Sequence, residues 1–307
     1  MQRIRRQKQV EGTTTHGIIH NADHHFLVQV QIYEDGMVNC WELVDLKGLG
    51  QKIDEYWLGP DIPDGETLSL HGLGAFIVGT ADWSFDNDSY YQHIEGKVRS
   101  LNPEFRNIYE ITARERELME VRRISPSPKA VDFVVIQEMF YSTIEGDGFC
   151  TFMREQGENY LVNLVVYENG IVHIYGLPDS REIPIEDLEA SFADGTLFTT
   201  GAYPLVVSIP ELGKITFTEE LYAEVAEDKY KELLDKYKKL KGEQTSLEEC
   251  RAAYHLYLEF PSEFNRERLK TAYEQVPEHM RMYLGDMDTR DSDYQRILYS
   301  PEDKREV

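Results

Sequence analysis

The sequence predicts an α+β protein: two related, antiparallel β-rich units, each a hairpin in a curved sheet, followed by a C-terminal α-helical region. Three observations predict it. A stretch of β-type residues recurs in the two halves of the chain, the negative charge falls mainly into two segments of similar length, and from Thr218 onward the apolar period turns helical.

The recurrence is ungapped. Residues 26–41 (FLVQVQIYEDGMVNCW) align on residues 160–175 (YLVNLVVYENGIVHIY), with identities at Leu27/Leu161, Val28/Val162, Tyr33/Tyr167, Glu34/Glu168, Gly36/Gly170 and Val38/Val172. Each copy reads as a strand, an Asp-Gly or Asn-Gly turn that needs a positive φ, and a returning strand. Asp64-Gly65-Glu66-Thr67-Leu68 is further expected to correspond to Asp194-Gly195-Thr196-Leu197, each turn opening a second strand pair.

Between the copies, residues 107–121 have helical spacing, and Ser125-Pro126-Ser127-Pro128 punctuates a non-helical linker. After Thr218, Tyr222, Ala226, Tyr230, Leu233, Leu234, Tyr237 and Leu240 form one stripe, with Glu227/Lys231 and Glu232/Lys236 spaced for i,i+4 pairing. Ser246 to Glu249 reads as a capping box, and Pro261 and Pro277 separate later helices. The expected organisation is a first β unit with a basic N-terminal arm and trailing helix (1–122), a linker (123–130), a second β unit (131–217) and a helical region (218–307).

The formal net charge is −24. Residues 10–100 and residues 131–217 each carry −11, whereas residues 218–307 carry −7 and residues 1–9 carry +4. Such a field disfavours nucleic acid and anionic membrane and favours a basic partner. No apolar run approaches the length of a membrane span, and no apolar segment follows the N-terminal arginines, so the expected compartment is the cytoplasm. Three widely spaced cysteines form neither a disulfide framework nor a CxxC pair.

No nucleophile elbow, zinc-protease, P-loop or dinucleotide-binding motif is present, so no catalytic residue and no cofactor is assigned. The candidate ligands for a divalent metal are His16, His20 and His24 in the first repeat and Asp286, Asp288 and Asp291 near the C-terminus. The candidate partner-binding surface is aromatic with an acidic rim: Trp57, Trp83, Tyr90 and Tyr91 with Asp82, Asp86 and Asp88.

Residues 36–45, 62–74 and 276–307 resemble bacterial domains of unknown function, and that resemblance brings no activity or site residue with it. In general character the acidic, motif-poor chain is similar to the immunity proteins of toxin systems, an analogy of type and not of motif. The expectation is therefore a non-enzymatic interaction protein that neutralises a basic partner. The alternatives are an enzyme or a ligand- or metal-binding protein with a site at the seam between the β units, and a structural assembly component.

Overall fold

The structure is a computed structural model that describes residues 10–122, 145–285 and 292–302. The basic N-terminal arm, the linker, the strand expected over residues 131–140, and Asp286, Asp288 and Asp291 lie outside those residues.

The first copy opens with β1 (Gly12–Asn21) and β2 (His24–Tyr33), followed by the short strands β3 (Val38–Asn39) and β4 (Leu43–Val44). Helix α1 (Leu46–Asp54), β5 (Leu58–Gly59), β6 (Thr67–Leu70), β7 (Gly74–Trp83), α2 (Asn87–Leu101) and α3 (Ala113–Arg122) follow. The second copy runs through β8 (Gly146–Glu155), β9 (Glu158–Tyr167), β10 (Ile171–Tyr175) and β11 (Arg181–Pro184). It continues with α4 (Leu188–Ala193), β12 (Leu197–Phe198), β13 (Leu205–Ile209), β14 (Gly213–Ala223) and α5 (Ala226–Leu240). The C-terminal part consists of α6 (Ser246–Glu259), α7 (Glu263–Gln275), a 3₁₀ segment (Glu278–Tyr283) and α8 (Ser292–Tyr299).

The duplication is visible residue by residue. Gly12 faces Tyr33 and Asn21 faces His24 in the first hairpin; Gly146 faces Tyr167 and Glu155 faces Glu158 in the second, every pair displaced by 134 positions. The predicted turns form as expected. Gly36 and Gly170 both have φ +81, and the preceding Asp35 and Asn169 each accept the amide two residues ahead at 3.1 Å. Those side-chain bonds replace the ladder partner that the chain gives up at the turn.

Beyond the hairpins, the correspondence shifts to 139 positions. β5 sits on β1 through Leu58 opposite Ile19, as β12 sits on β8 through Leu197 opposite Met153. The glycine-rich turn Leu70-His71-Gly72-Leu73-Gly74 matches Ile209-Pro210-Glu211-Leu212-Gly213, with Gly72 and Glu211 both at positive φ. Helices α2 and α5 have the same length and the same offset. The expected match of Asp64-Gly65 with Asp194-Gly195 is therefore corrected. Asp194-Gly195 leaves α4 for β12, and its counterpart is Glu55-Tyr56, where Tyr56 takes φ +55 in place of Gly195 at φ +76. Five extra residues ahead of α4 conceal this in the sequence.

Other boundaries move as well. β14 continues to Ala223, so the helical period starts at Ala226 and not at Thr218, and α5 is the last element of the second repeat. Helix α3 starts at Ala113 rather than residue 107, after positive-φ residues at Phe105 and Asn107. The capping box opening α6 uses Thr245 with Glu248, one residue before the expected pair. The sheets are not purely antiparallel, because β6 lies parallel to β2 through His25 opposite Leu68.

In space the described residues form two compact units, residues 10–122 with 202–222, and residues 145–201 with 223–285 and 292–302. The expected boundary at 217 is thus replaced by a discontinuous one. β13 and β14 belong to the second repeat in sequence but cluster with the first unit, where β14 neighbours β7. The first unit orders its strands β13-β14-β7-β6-β2-β1-β5, with β3 on β2 and β4 on β3. Its core joins Ile19, Val30 and Ile32 to Leu49 and Ile53 of α1 and Tyr90, Ile94 and Val98 of α2. The i, i+4, i+8 spacing of the α2 residues puts them on one stripe, and each such buried side chain contributes roughly 1.5–3 kcal/mol relative to exposure.

The second unit orders its strands β11-β10-β9-β8-β12. Val162, Leu164 and Val166 pack with Leu188 of α4 and Leu233 of α5. Helices α6, α7 and α8 close a further core around Cys250, Leu269, Tyr273 and Tyr294. Asp235 of α5 accepts the Ser246 amide at 2.7 Å and the Ser246 hydroxyl, which ties α5 to the start of α6.

Candidate functional site

The first unit carries an open pocket of roughly 260 Å³ between α1 and α2. Two caps set its walls. The Asp45 carboxylate accepts the Gly48 amide at 2.7 Å to start α1, while its second oxygen takes the Ile111 amide at 2.8 Å. Asp86 and Ser89 exchange reciprocal bonds to start α2. α2 is pinned to β1 by Tyr90, whose hydroxyl donates to the His16 carbonyl at 2.9 Å above Gly17, where any Cβ would collide with that hydroxyl.

One wall of the pocket is Gly50, Ile53 and Asp54; the other is Asn87, Asp88, Tyr91 and Gln92. Asp54 and Asp88 are exposed and make no ion pair among the described residues. Asp61 lies close to Asp86, and its carboxyl is pushed up by burial and by that neighbouring charge. Two carboxylates, Asp54 and Asp88, thus line the pocket itself. Lys52, on the same helix, is already committed: its ammonium lies 2.8 Å from Glu42 and 3.8 Å from the centre of the Trp57 ring.

The predicted aromatic cluster is therefore split by the fold. Tyr91 lines the pocket with Asp88. Tyr90 is fully buried and belongs to the core, a correction that follows from its place on the apolar stripe of α2. Trp57 is half-buried beneath Lys52, and Trp83 is half-buried at the end of β7. Asp86 is a helix cap whose carboxyl is held down by the Ser89 side chain and amide, and Asp82 is exposed on β7.

The histidines do not converge. His16 Nδ1 is 3.1 Å from the Pro210 carbonyl, with its pKa lowered by burial. His20 packs edge-on against His25 at 4.9 Å, and burial together with His25 lowers its pKa. His24 is exposed beside Phe26. Among the described residues, no group of three histidine, cysteine or acidic side chains is arranged to hold a metal.

Two polar clusters escaped the sequence reading. In the first unit Glu211, at φ +63, accepts from Thr15 at 2.9 Å and from Lys97 at 2.8 Å, and His93 Nε2 lies 3.1 Å from the Thr15 hydroxyl. Burial opposes ionisation of Glu211, but the Lys97 and Thr15 bonds outweigh it and lower its pKa. In the second unit Lys229, 1% exposed, pairs with Glu232 at 2.6 Å and lies 3.8 Å from the centre of the Phe149 ring. His279 Nε2 is 3.2 Å from Glu232 and its Nδ1 is 3.0 Å from Glu224. Burial lowers the Lys229 pKa; Glu232, despite burial, is held at about 2 by His279, Lys229 and Lys236. No local motif marks either cluster; the 139-residue offset, visible only in the fold, places His93 opposite Glu232 and Lys97 opposite Lys236.

No curated protein and no solved structure matches this chain. A family model described as a domain of unknown function (DUF7638) matches residues 1–105 and 134–244, and a second, also a domain of unknown function (DUF7639), matches residues 245–306. The first match ends just after α5 and the second begins at the cap of α6, which are the limits of the structural repeat and of the C-terminal helices. The chain belongs to the DUF7638 family, with a DUF7639 segment as its C-terminal helical part.

Proposed function

We propose that the protein is an acidic protein-interaction module whose first unit captures a basic partner, in the manner of an immunity protein neutralising a toxin domain. The observation that carries this reading is the pocket between α1 and α2. Tyr91 gives it an aromatic wall, and Asp54 and Asp88 present carboxylates with no ion pair among the described residues. A lysine or arginine entering there supplies a counter-charge to those carboxylates, while its aliphatic stem covers Ile53 and Tyr91. The charge of the surrounding segment accelerates encounter, and the pocket supplies register.

Copurification at low and high salt, with wild type and an Asp54→Asn/Asp88→Asn variant, tests the reading. A stoichiometric basic protein is expected at low salt, released by high salt and lost in the variant. Absence of such a partner, or a partner retained equally by the variant, overturns it.

A further inference from the structure

A second pocket of the first unit, of roughly 470 Å³, opens where β2 turns into β3 and β4. Its lining includes Tyr33, Asp35, Met37, Asn39 and Trp41. Trp41 is 60% exposed although Phe26 packs against it at 5.3 Å, and its backbone holds φ +69. A bulky residue in the left-handed region is costly, and such strain gathers at functional positions.

The polar groups narrow the ligand. Tyr33 and Asn39 both donate to the Gln31 side-chain oxygen, at 3.0 and 2.9 Å, so that acceptor is occupied. One Asp35 oxygen takes the Met37 amide, which leaves the other, and no cation pairs with Asp35 among the described residues. Burial pushes the Asp35 carboxyl up, and the backbone amide bonds it accepts oppose that shift. An indole, a phenol, a thioether and one carboxylate attract a cation, and the largely apolar faces they present suit one that carries methyl groups in place of N–H donors.

We propose that the Trp41 pocket binds an alkylated ammonium group, a cation without N–H donors to satisfy, by cation–π contact with Trp41 and Tyr33 and charge pairing with Asp35. The second copy supplies an internal contrast. Asn169 replaces Asp35, and Tyr175 replaces Trp41 with its hydroxyl bonded to Tyr167 and His173, so neither the charge nor the open indole is kept. This site is separate from the pocket between α1 and α2 and stands or falls independently of it.

The test is calorimetric titration, with the Trp41 indole resonance followed by NMR, using choline, its neutral isostere 3,3-dimethylbutanol, and a neutral peptide with and without one trimethyllysine. Choline and the trimethylated peptide are expected to bind and move the Trp41 signal. The isostere and the unmethylated peptide should bind about tenfold more weakly. Tighter binding of the peptide than of choline assigns the group to a protein side chain; the reverse assigns it to a free metabolite. Asp35→Asn, whose fold is secured by Asn169 making the same turn bond, should weaken choline about fivefold. Trp41→Ala should abolish binding. No binding of choline, equal binding of the isostere, or unchanged affinity in Asp35→Asn overturns the proposal.

Discussion

Helices α2 and α5 occupy the same place in their repeats, yet the acid in the first turn of α2 has no ion pair among the described residues whereas its counterpart on α5 does. On α2, Asp88 stands beside Gln92; on α5, the matching Glu227 stands 3.3 Å from Lys231, which also holds Asp228 at 3.1 Å. Deeper in, the pattern reverses. α2 places the neutral phenol of Tyr90 at the position where α5 buries the ammonium of Lys229. At these matched positions the first copy leaves an acid open and buries a neutral group, and the second pairs the acid and buries a charge. Duplication supplied two frameworks, and their charges were then spent differently.

The largest effect that would test this contrast is in the second unit. Glu232→Ala removes the carboxylate at 2.6 Å from a buried ammonium and should cost about 3 kcal/mol. His93→Ala, at the matching place in α2, should cost about 1 kcal/mol. Amide exchange read separately in α5 and α2 checks the ordering; equal losses would break the comparison.

Acid should act in the same direction. The Glu232 carboxyl is depressed to about 2, so its contribution is complete above the ordinary glutamate range near pH 4.3 and is lost as pH falls from there toward 2. Protection in α5 is expected to decline across that window, and Glu232→Gln should flatten the decline.

A reciprocal swap sharpens the surface half of the comparison. Gln92→Lys places a cation beside Asp88, and should weaken basic-partner binding about tenfold while changing stability by less than about 0.5 kcal/mol. Lys231→Gln leaves Glu227 without its cation and should raise affinity for a cationic probe at α5. Binding isotherms with both variants decide it; unaltered binding by Gln92→Lys would place the contact elsewhere.

The smallest effect concerns Gly96, in the body of α2, where an added Cβ meets nothing within 4 Å. Gly96→Ala should stabilise the helix by about 0.5–1 kcal/mol, measurable by thermal denaturation.

The hairpins were legible because Asp35-Gly36 and Asn169-Gly170 punctuate strands whose core residues alternate. Helix α2 was not. Its sequence NDSYYQHIEGKVRSL mixes aromatics, a glycine and caps, and its apolar stripe of three residues gains meaning only against β1 and α1. β3, β4, β5 and β12 are two residues each, too short for any periodicity to register. The parallel placement of β6 on β2 depends on a crossover that no local pattern encodes. For the candidate site, the acids and Tyr91 were legible as a neighbourhood, whereas Tyr90 carries the same composition signal and points inward.

The bond between Asp235 and Ser246 has one more consequence. The position of Asp235 in α5 is that of Gly96 in α2, which has no side chain to offer. Only residues 241–245 separate α5 from α6, so connectivity alone already keeps the α6 terminus beside α5. What the Asp235 carboxylate adds is direction: by holding both the amide and the hydroxyl of Ser246 it fixes the angle at which the chain re-enters a helix, a hinge pin that the glycine at the matching place in α2 could not provide.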